Sequence, residues 1–290
     1  MRAVGFGVLR SYVRWAPGPG KRALVARLVE PRLATRPHAF TARTIHGARL
    51  RGDQRWVMPR RIYWFGVWEP LLSAWIERRL HPGDVFVDVG ANMGYTSLLA
   101  ARAVGPGGAV VAFEPAPETF AKLTGNLALN PGANVRAVQA AVGARETCVP
   151  FYRAPWNDAE SSTVAGDGRE AAGEVRVRPL ARLLSGSERA RTRVVKVDVE
   201  GAEWDVLAGL LPDLERFPPS MELVVEVHPD RLGELSAAAL AAMLAPHGFA
   251  PSWLPYDISA EAHLERRPAP APVPGLPAPG AMAHLILSRG

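Results

Sequence analysis

Between Gly83 and Ser97 the chain reads G-D-V-F-V-D-V-G-A-N-M-G-Y-T-S. A carboxylate, Asp88, precedes a turn containing Gly90, Asn92 and Gly94, in the pattern D-x-G-x-N-x-G. A dinucleotide fingerprint would place glycine at 90, 92 and 95. Here position 92 is Asn and position 95 is Tyr. Asn tolerates a left-handed backbone better than most side chains, so Asn92 can hold the middle of the turn. A carboxylate at that strand end suits a cationic ligand and repels a pyrophosphate. S-adenosylmethionine fits: it carries a sulfonium, an ammonium and a carboxylate, and the carboxylate can rest on the N–H groups that open the next helix. Twenty residues past Gly94, the run Val110–Phe113 ends at Glu114-Pro115. A carboxylate there is placed to accept hydrogen bonds from ribose hydroxyls.

A second concentration of chemistry follows Val194-Val195-Lys196-Val197. Asp198, Glu200 and Glu203 put three carboxylates within six residues at the carboxyl end of a buried-strand run. Open α/β sheets bind ligands at that end. Like charges crowded there repel, so a structural role does not account for all three. Asp198 and Glu200 suit orienting an acceptor or taking its proton. Glu203 equally suits a helix cap after Gly201, where the macrodipole favours a carboxylate. No spacing in this cluster demands a metal, and none is assigned. The next run ends Val224-Val225-Glu226-Val227-His228-Pro229, and His228 stands where a general base would stand. A polar loop over 153–173 carries Trp156, Asn157, Asp158, Ser161 and Ser162, and this loop is placed to close over an acceptor, although serines in a loop are more often plain loop residues.

These residues need a scaffold that brings strand ends together. Val85–Val89 is a short β-branched run bounded by glycine, the pattern of a fully buried strand. Further strands are predicted over 109–113, 134–139, 146–152, 174–178, 193–198, 221–227, 249–254 and 283–288. Helices are predicted over 94–103, 117–129, 180–185, 202–211 and 233–246. Such alternation implies an α/β fold, a parallel sheet with helices on both faces. Residues 266–280 are rich in Pro and Ala and read as a mobile loop.

Upstream, Pro17-Gly18-Pro19-Gly20 separates helix candidates over 1–15 and 21–34. Val4, Val8, Tyr12 and Trp15 share one face of the first, which is expected to dock on the protein's own core or another subunit. Arg2, Arg10 and Arg14 make peripheral membrane contact the alternative. Residues 40–58 read as a hairpin, and Trp68–Leu80 as an amphipathic helix. The expected division is a basic extension over 1–80 and the sheet domain over 81–290.

Composition bounds the function. Of the 290 residues, 48% are hydrophobic and 21% charged, which supports a sizeable core. The single Cys148 excludes an internal disulfide and a cysteine zinc cluster, and fits a reducing cytoplasm. No apolar run is long enough for a membrane-spanning helix, and the N-terminus lacks a clear signal-peptide cleavage site. Residues 1–80 hold 16 Lys and Arg against 4 Asp and Glu, whereas the remainder holds 18 against 24. A basic arm of that kind attracts acidic substrates, nucleic acid or anionic lipid. The strong Arg, Ala, Pro and Gly bias favours a plain solvated face instead.

The motifs V-F-V-D-V-G-A-N-M-G-Y-T-S, V-V-A-F-E-P and V-V-K-V-D-V-E-G-A-E-W-D-V-L, in this order, resemble the FkbM family of S-adenosylmethionine-dependent methyltransferases. Y-W-F-G-V-W-E-P and E-V-H-P are similar to that family too, so the resemblance runs from about Tyr63 to His228. It implies a class I methyltransferase sheet of seven strands, Rossmann-like, the last strand antiparallel. It implies O-methylation of a hydroxyl on a natural product, sugar or glycolipid, with S-adenosylmethionine as cofactor. Asp88, Gly90, Asn92, Gly94 and Glu114 would hold the cofactor, and Glu69 would reach its methionine end. Asp198, Glu200 and Glu203 match the family's D-x-E-G-x-E. The arm over 1–60 and the proline-rich loop lie outside the resemblance.

Rival classes leave other marks. Adenine amino-methylation needs an N/D-P-P-Y/F/W motif after the fourth strand, where Asp198-Val199-Glu200-Gly201 stands instead. Cytosine C5 methylation needs a cysteine nucleophile, and Cys148 lies off the active edge. A ribose O-methyltransferase acting on nucleic acid would carry a catalytic lysine. Lys196 is set aside as facing away from the strand end, although it shares the parity of Asp198. A degenerate cofactor-binding module acting in protein interaction is the non-enzymatic alternative.

Overall fold

Every residue from Val85 to Val89 is buried, which a strand achieves only inside a sheet covered on both faces. A computed structural model describes residues 2–15, 20–27, 29, 38–154, 161–166, 168–228, 236–265 and 271–289. The chain divides into two units, Met1–Trp75 with Asp257–Pro270, and Ile76–Tyr256 with Ala271–Gly290.

The first unit opens with α1 (Arg2–Trp15), held by its basic face. Arg14 donates from its guanidinium to the carbonyls of Arg43, Ile62 and Tyr63. Arg10 lies over the Tyr63 ring, 4.9 Å from its centroid, and Val13 is buried. That leaves Val8, Tyr12 and Trp15 facing solvent, at 67%, 37% and 62% exposure. The stripe expected to dock on the protein's own core therefore points away from it. The arginines took the inward face because their guanidinium groups satisfy carbonyls that α1 covers. Within the helix expected over 21–34, α2 (Lys21–Leu24) continues into a π-helical turn over 25–27, and residues 28 and 30–37 lie outside the described residues.

The hairpin expected over 40–58 is β1 (Ala39–Arg43) paired antiparallel with β2 (Arg49–Asp53). It ends sooner than expected, because α3 (Val57–Phe65) follows and stops at Gly66, φ 80°. α4 (Pro70–Arg79) matches the expected helix, and the division between units falls within it rather than at residue 80. Helix Ala260–Glu265, not anticipated, joins the first unit: Glu261 pairs with Arg22 at 2.6 Å, and His263 lies 5.0 Å from the Phe65 ring.

The second unit is built on β3 (Val85–Val89), β4 (Ala109–Phe113) and β5 (Val135–Val138). A separate three-stranded sheet contains β6 (Ala141–Val142), β7 (Thr147–Arg153) and β8 (Glu170–Arg178), in the order β6-β8-β7. The main sheet resumes with β9 (Thr192–Val197), β10 (Glu222–Val227), β11 (Phe249–Pro255), β12 (Val273–Pro274) and β13 (Ala283–Arg289). Seven strands run β5-β4-β3-β9-β10-β13-β11, and β13, the last in the chain, alone lies antiparallel to its neighbours among them. This is the α/β sheet of a class I methyltransferase. β12 adds an eighth strand at the edge, against Trp253 and Ser252 of β11. Part of the loop expected over 266–280 is thus paired, with Pro274 tolerated because an edge strand leaves one side unbonded. Residues 266–270 lie outside the described residues.

Alternation sends Val85, Val87 and Val89 to one face of the sheet. There they share a core with Leu207 and Leu210 of α9 (Glu203–Leu210) and Leu240 and Leu244 of the helix Ala237–Leu244. Ala112 faces the other way and packs on Leu123 of the helix Pro117–Ala128. Each fully buried leucine contributes about 2 kcal/mol by removing its side chain from water. Both sheet faces are therefore closed, and access is left at the strand ends.

The ends of β3 and β9 meet closely. Asp198 donates its N–H to the Val89 carbonyl at 3.1 Å. Gly90 follows with φ 81°, and a Cβ there would lie 1.8 Å from the Asp198 carbonyl oxygen. Gly83 has φ 97° but open space around it. Gly83→Ala should cost about 1–2 kcal/mol of backbone strain. Gly90→Ala should cost more than about 4 kcal/mol, because backbone must also move. Urea unfolding of the two variants beside the parent checks this order, and equal losses would contradict the close approach.

Candidate active site

Register explains how scattered polar residues meet. Asp88 of β3 lies directly beside Lys196 of β9, and Lys196 beside Val224 of β10. Two residues further along, the same face presents Asp198 on β9 and Glu226 on β10. Glu226 is paired with His284 of β13. A polar row thus crosses the strand ends of a sheet that is otherwise apolar.

Lys196 is its hinge. Its Nζ lies 2.9 Å from Asp198 Oδ2, 3.6 Å from Asp88 Oδ1 and 3.5 Å from the Gly90 carbonyl oxygen. Asp88 is wholly buried, and its Oδ2 accepts from Ser97 Oγ at 2.6 Å. Burial raises its pKa, which Lys196 and Ser97 offset only in part. Asp88 therefore acts from beneath the glycine turn. Asp198 differs, with a quarter of its side chain exposed (26%). Burial works to raise its pKa, but Lys196 and a hydrogen bond with Glu226 outweigh that and hold it below the usual carboxylate range.

The turn itself is organised by Glu114. Its Oε2 accepts the Asn92 N–H at 2.9 Å and its Oε1 the Ala116 N–H at 3.0 Å. Asn92 has the left-handed backbone its residue type predicted, φ 50°, and Gly94 follows with φ 89°. Each Glu114 oxygen keeps a lone pair for a further donor. Burial raises the Glu114 pKa to about 7, against the two backbone hydrogen bonds. These residues fit S-adenosylmethionine. Two free lone pairs on one buried carboxylate suit a pair of ribose hydroxyls, and the acid-rich row suits a sulfonium.

The D-V-E-G-A-E segment forms a second tight turn. Glu203 accepts the N–H groups of Gly201 at 3.1 Å and Val199 at 3.3 Å, so it caps the turn that opens α9. Burial raises its pKa. Glu200 has φ 60°, left-handed, and its carbonyl accepts from Ser162 Oγ at 2.9 Å. Ser162 is itself pinned to β7, exchanging backbone hydrogen bonds with Tyr152 at 2.8 and 3.0 Å. It braces the turn rather than standing free in a loop. Ser161 helps line a cavity of about 330 Å3 beside Pro117, with Phe151, Arg153 and Glu170 in its wall.

Asp88, Gly90, Asn92, Gly94, Glu114 and Asp198 are thus gathered at neighbouring strand ends. Glu200 is on the adjoining turn. His228 follows β10 half-buried, and its Nδ1 has no hydrogen-bond partner among the described residues. Glu69 belongs to the first unit, buried at 6% exposure with φ 43°. Trp156, Asn157 and Asp158 lie outside the described residues. Lys196, set aside from sequence as facing away, is on the same face as Asp198, as the two-residue period of a strand requires. Glu226 and His284 were also missed. Their signal was a charged or imidazole residue inside an otherwise apolar strand run.

Comparison with known proteins agrees with the motifs. The family model "Methyltransferase FkbM domain" matches residues 88–251. "Methyltransferase 1" of Beauveria bassiana is 31% identical over 202 residues, covering 61% of this chain and 79% of that protein. "31-O-demethyl-FK506 methyltransferase FkbM" of Streptomyces tacrolimicus is 35% identical over 202 residues, 59% of this chain and 74% of that protein. "Hexuronic acid methyltransferase AglP" of Haloferax volcanii is 30% identical over 150 residues, 50% of this chain and 56% of that protein.

The raised Glu114 pKa has a consequence for stability. A carboxyl with a folded pKa of about 7 against an unfolded value of 4.5 is favoured in its protonated form by the fold. Its contribution is complete below pH 4.5 and is lost as pH rises to about 7, by about 3 kcal/mol at most. Urea unfolding of the wild type should weaken across that window by a slope that Glu114→Gln lacks. Parallel pH curves for the two proteins would refute the assignment.

Proposed function

The chain belongs to the FkbM methyltransferase family, and we propose that it transfers a methyl group from S-adenosylmethionine to a hydroxyl of a natural product, sugar or glycolipid. The observation that carries this reading is the placement of Asp198, a quarter exposed and in contact with Lys196, at the strand end that touches the Gly90 turn. The cofactor supplies a methyl on cationic sulfur: the acceptor oxygen forms the new C–O bond while the S–C electron pair stays on sulfur.

Glu114 would bind the ribose hydroxyls, and the N–H groups after Gly94 the methionine carboxylate. Glu69 would act at the methionine end, a role that rests on the family resemblance. Asp198 would take the hydroxyl proton as the C–O bond forms and release it to water. A carboxylate of low pKa suffices, because an alkylated hydroxyl is a far stronger acid than the alcohol it came from. Glu200 would orient the acceptor from the adjoining turn, and His228 offers a second proton acceptor at the end of β10. Most of the acceleration would come from alignment, since a thioether leaves without protonation.

Lys196 beside Asp198 favours a second reading, a ribose O-methyltransferase, since it supplies the lysine such an enzyme would carry. The relatives named for an acceptor, 31-O-demethyl-FK506 in one and a hexuronic acid in the other, favour the first.

Incubation with methyl-labelled S-adenosylmethionine and a panel of glycosides, uronic acids, macrolide alcohols and RNA separates the two. Label is expected in an ether on a small-molecule or glycan hydroxyl, and label in RNA alone would transfer the assignment to ribose. Asp198→Asn should lower kcat by about a hundredfold or more while cofactor binding persists. A variant with unchanged kcat would remove Asp198 from the reaction.

A further inference from the structure

The described residues place a buried lysine between the two carboxylates that the sequence motifs supply from different strands. Asp88 comes from the strand that carries the glycine turn, and Asp198 from the strand that ends in the acid cluster. The Lys196 side chain is 7% exposed, so its charge is removed from water and must be met by protein groups. It is met at 2.9 Å by Asp198, at 3.6 Å by Asp88 and at 3.5 Å by the Gly90 carbonyl oxygen. No role in the methyl transfer proposed above uses this residue.

We infer that Lys196 is the positioning residue of the reaction, fixing the Asp198 carboxylate toward the acceptor and coupling it through Asp88 to the turn that would hold the cofactor. The inference rests on the methyltransferase reading. Lys196 does not exchange a proton with substrate in this account: it acts through Asp198. The geometry gives it two effects. A contact of 2.9 Å to one oxygen selects the side-chain orientation of Asp198. A cation at that distance also keeps the carboxylate ionised against the effect of burial. Asp88 on β3, Glu226 on β10 and His284 on β13 face the same row, and the Glu226 hydrogen bond and His284 act in the same direction as Lys196. Without Lys196, burial would drive Asp198 toward its protonated form, which cannot accept the hydroxyl proton.

The test needs a readout other than turnover. Carbon-13 NMR of protein labelled at aspartate carboxyls, with the Asp198 signal identified by its loss in Asp198→Asn, follows the titration directly. In the unliganded wild type the signal should titrate below the usual aspartate range. In Lys196→Met it should move up by about one pH unit or more, a tenfold change in proton affinity. The acid limb of the kcat profile should move with it, and Lys196→Arg should restore most of the wild-type position. Lys196→Met leaves two buried carboxylates facing each other and can fail to fold. The double variant Lys196→Met with Asp88→Asn removes that repulsion, and should fold while still showing the raised titration. An Asp198 signal that titrates at the wild-type pH in a folded Lys196 variant overturns the inference. Calorimetric titration of S-adenosylmethionine into the wild type separates the two failures: binding with an unmoved Asp198 titration sinks the role of Lys196, whereas a folded protein that binds no cofactor sinks the methyltransferase reading itself.

Discussion

One ammonium group between two carboxylates sets the arrangement of the strand ends. Lys196 and Asp88 are buried and Asp198 is three-quarters covered, and each would be costly to desolvate alone. Together they cancel most of their charge, but only if β3 and β9 stand in one register. A slip by one residue would send Lys196 to the face occupied by Val195 and Val197, into the apolar core. Such a buried ion pair is weak evidence for stability, since apolar groups could fill the same space. Its contribution here is to specificity of register, reinforced by the carbonyl of Asp198 where Gly90 has no side chain. The cofactor turn and the acid cluster are therefore one unit, although about a hundred residues of chain separate them.

Backbone strain follows the same distribution as the chemistry. Among the described residues, three that are not glycine have a positive φ: Glu69, Asn92 and Glu200. Each costs about 1 kcal/mol or more relative to an ordinary conformation. Asn92 is held there by Glu114, which binds its N–H, and Glu200 by Ser162, which binds its carbonyl. Strain persists where surrounding contacts over-determine it, and these contacts come from side chains already singled out as candidates for function.

The fold was legible where periodicity was clean. Val85–Val89, Ala109–Phe113 and Phe249–Pro255 begin where their apolar runs begin, and the first two are buried almost throughout, as their near-continuous apolar character predicts. Asn92 and Gly94 were legible because few residue types accept a left-handed turn. Strands β7 and β8 were anticipated over 146–152 and 174–178, but the two-residue β6 and the gathering of the three into a sheet of their own were not, because strand order is not written in a local pattern. The inward turn of Arg10 and Arg14 on α1 was equally hidden: a guanidinium that satisfies backbone carbonyls looks, in sequence, like a solvated charge. Glu226 and His284 escaped because a row across a sheet is visible only once strand order and register are known.

In the proposed reaction one buried carboxylate, Glu114, would receive the ribose of S-adenosylmethionine beneath a turn held by the Lys196 row. Calorimetric binding of that cofactor near pH 7, repeated in two buffers of different ionisation enthalpy, tests it most directly. Glu114 has a pKa of about 7 in the unliganded protein, and hydroxyl donors together with a sulfonium favour its ionised form. Binding should therefore release a fraction of a proton, and Glu114→Gln should abolish that release. A folded protein that binds no cofactor, or binds it with no proton release in either buffer, would contradict the account.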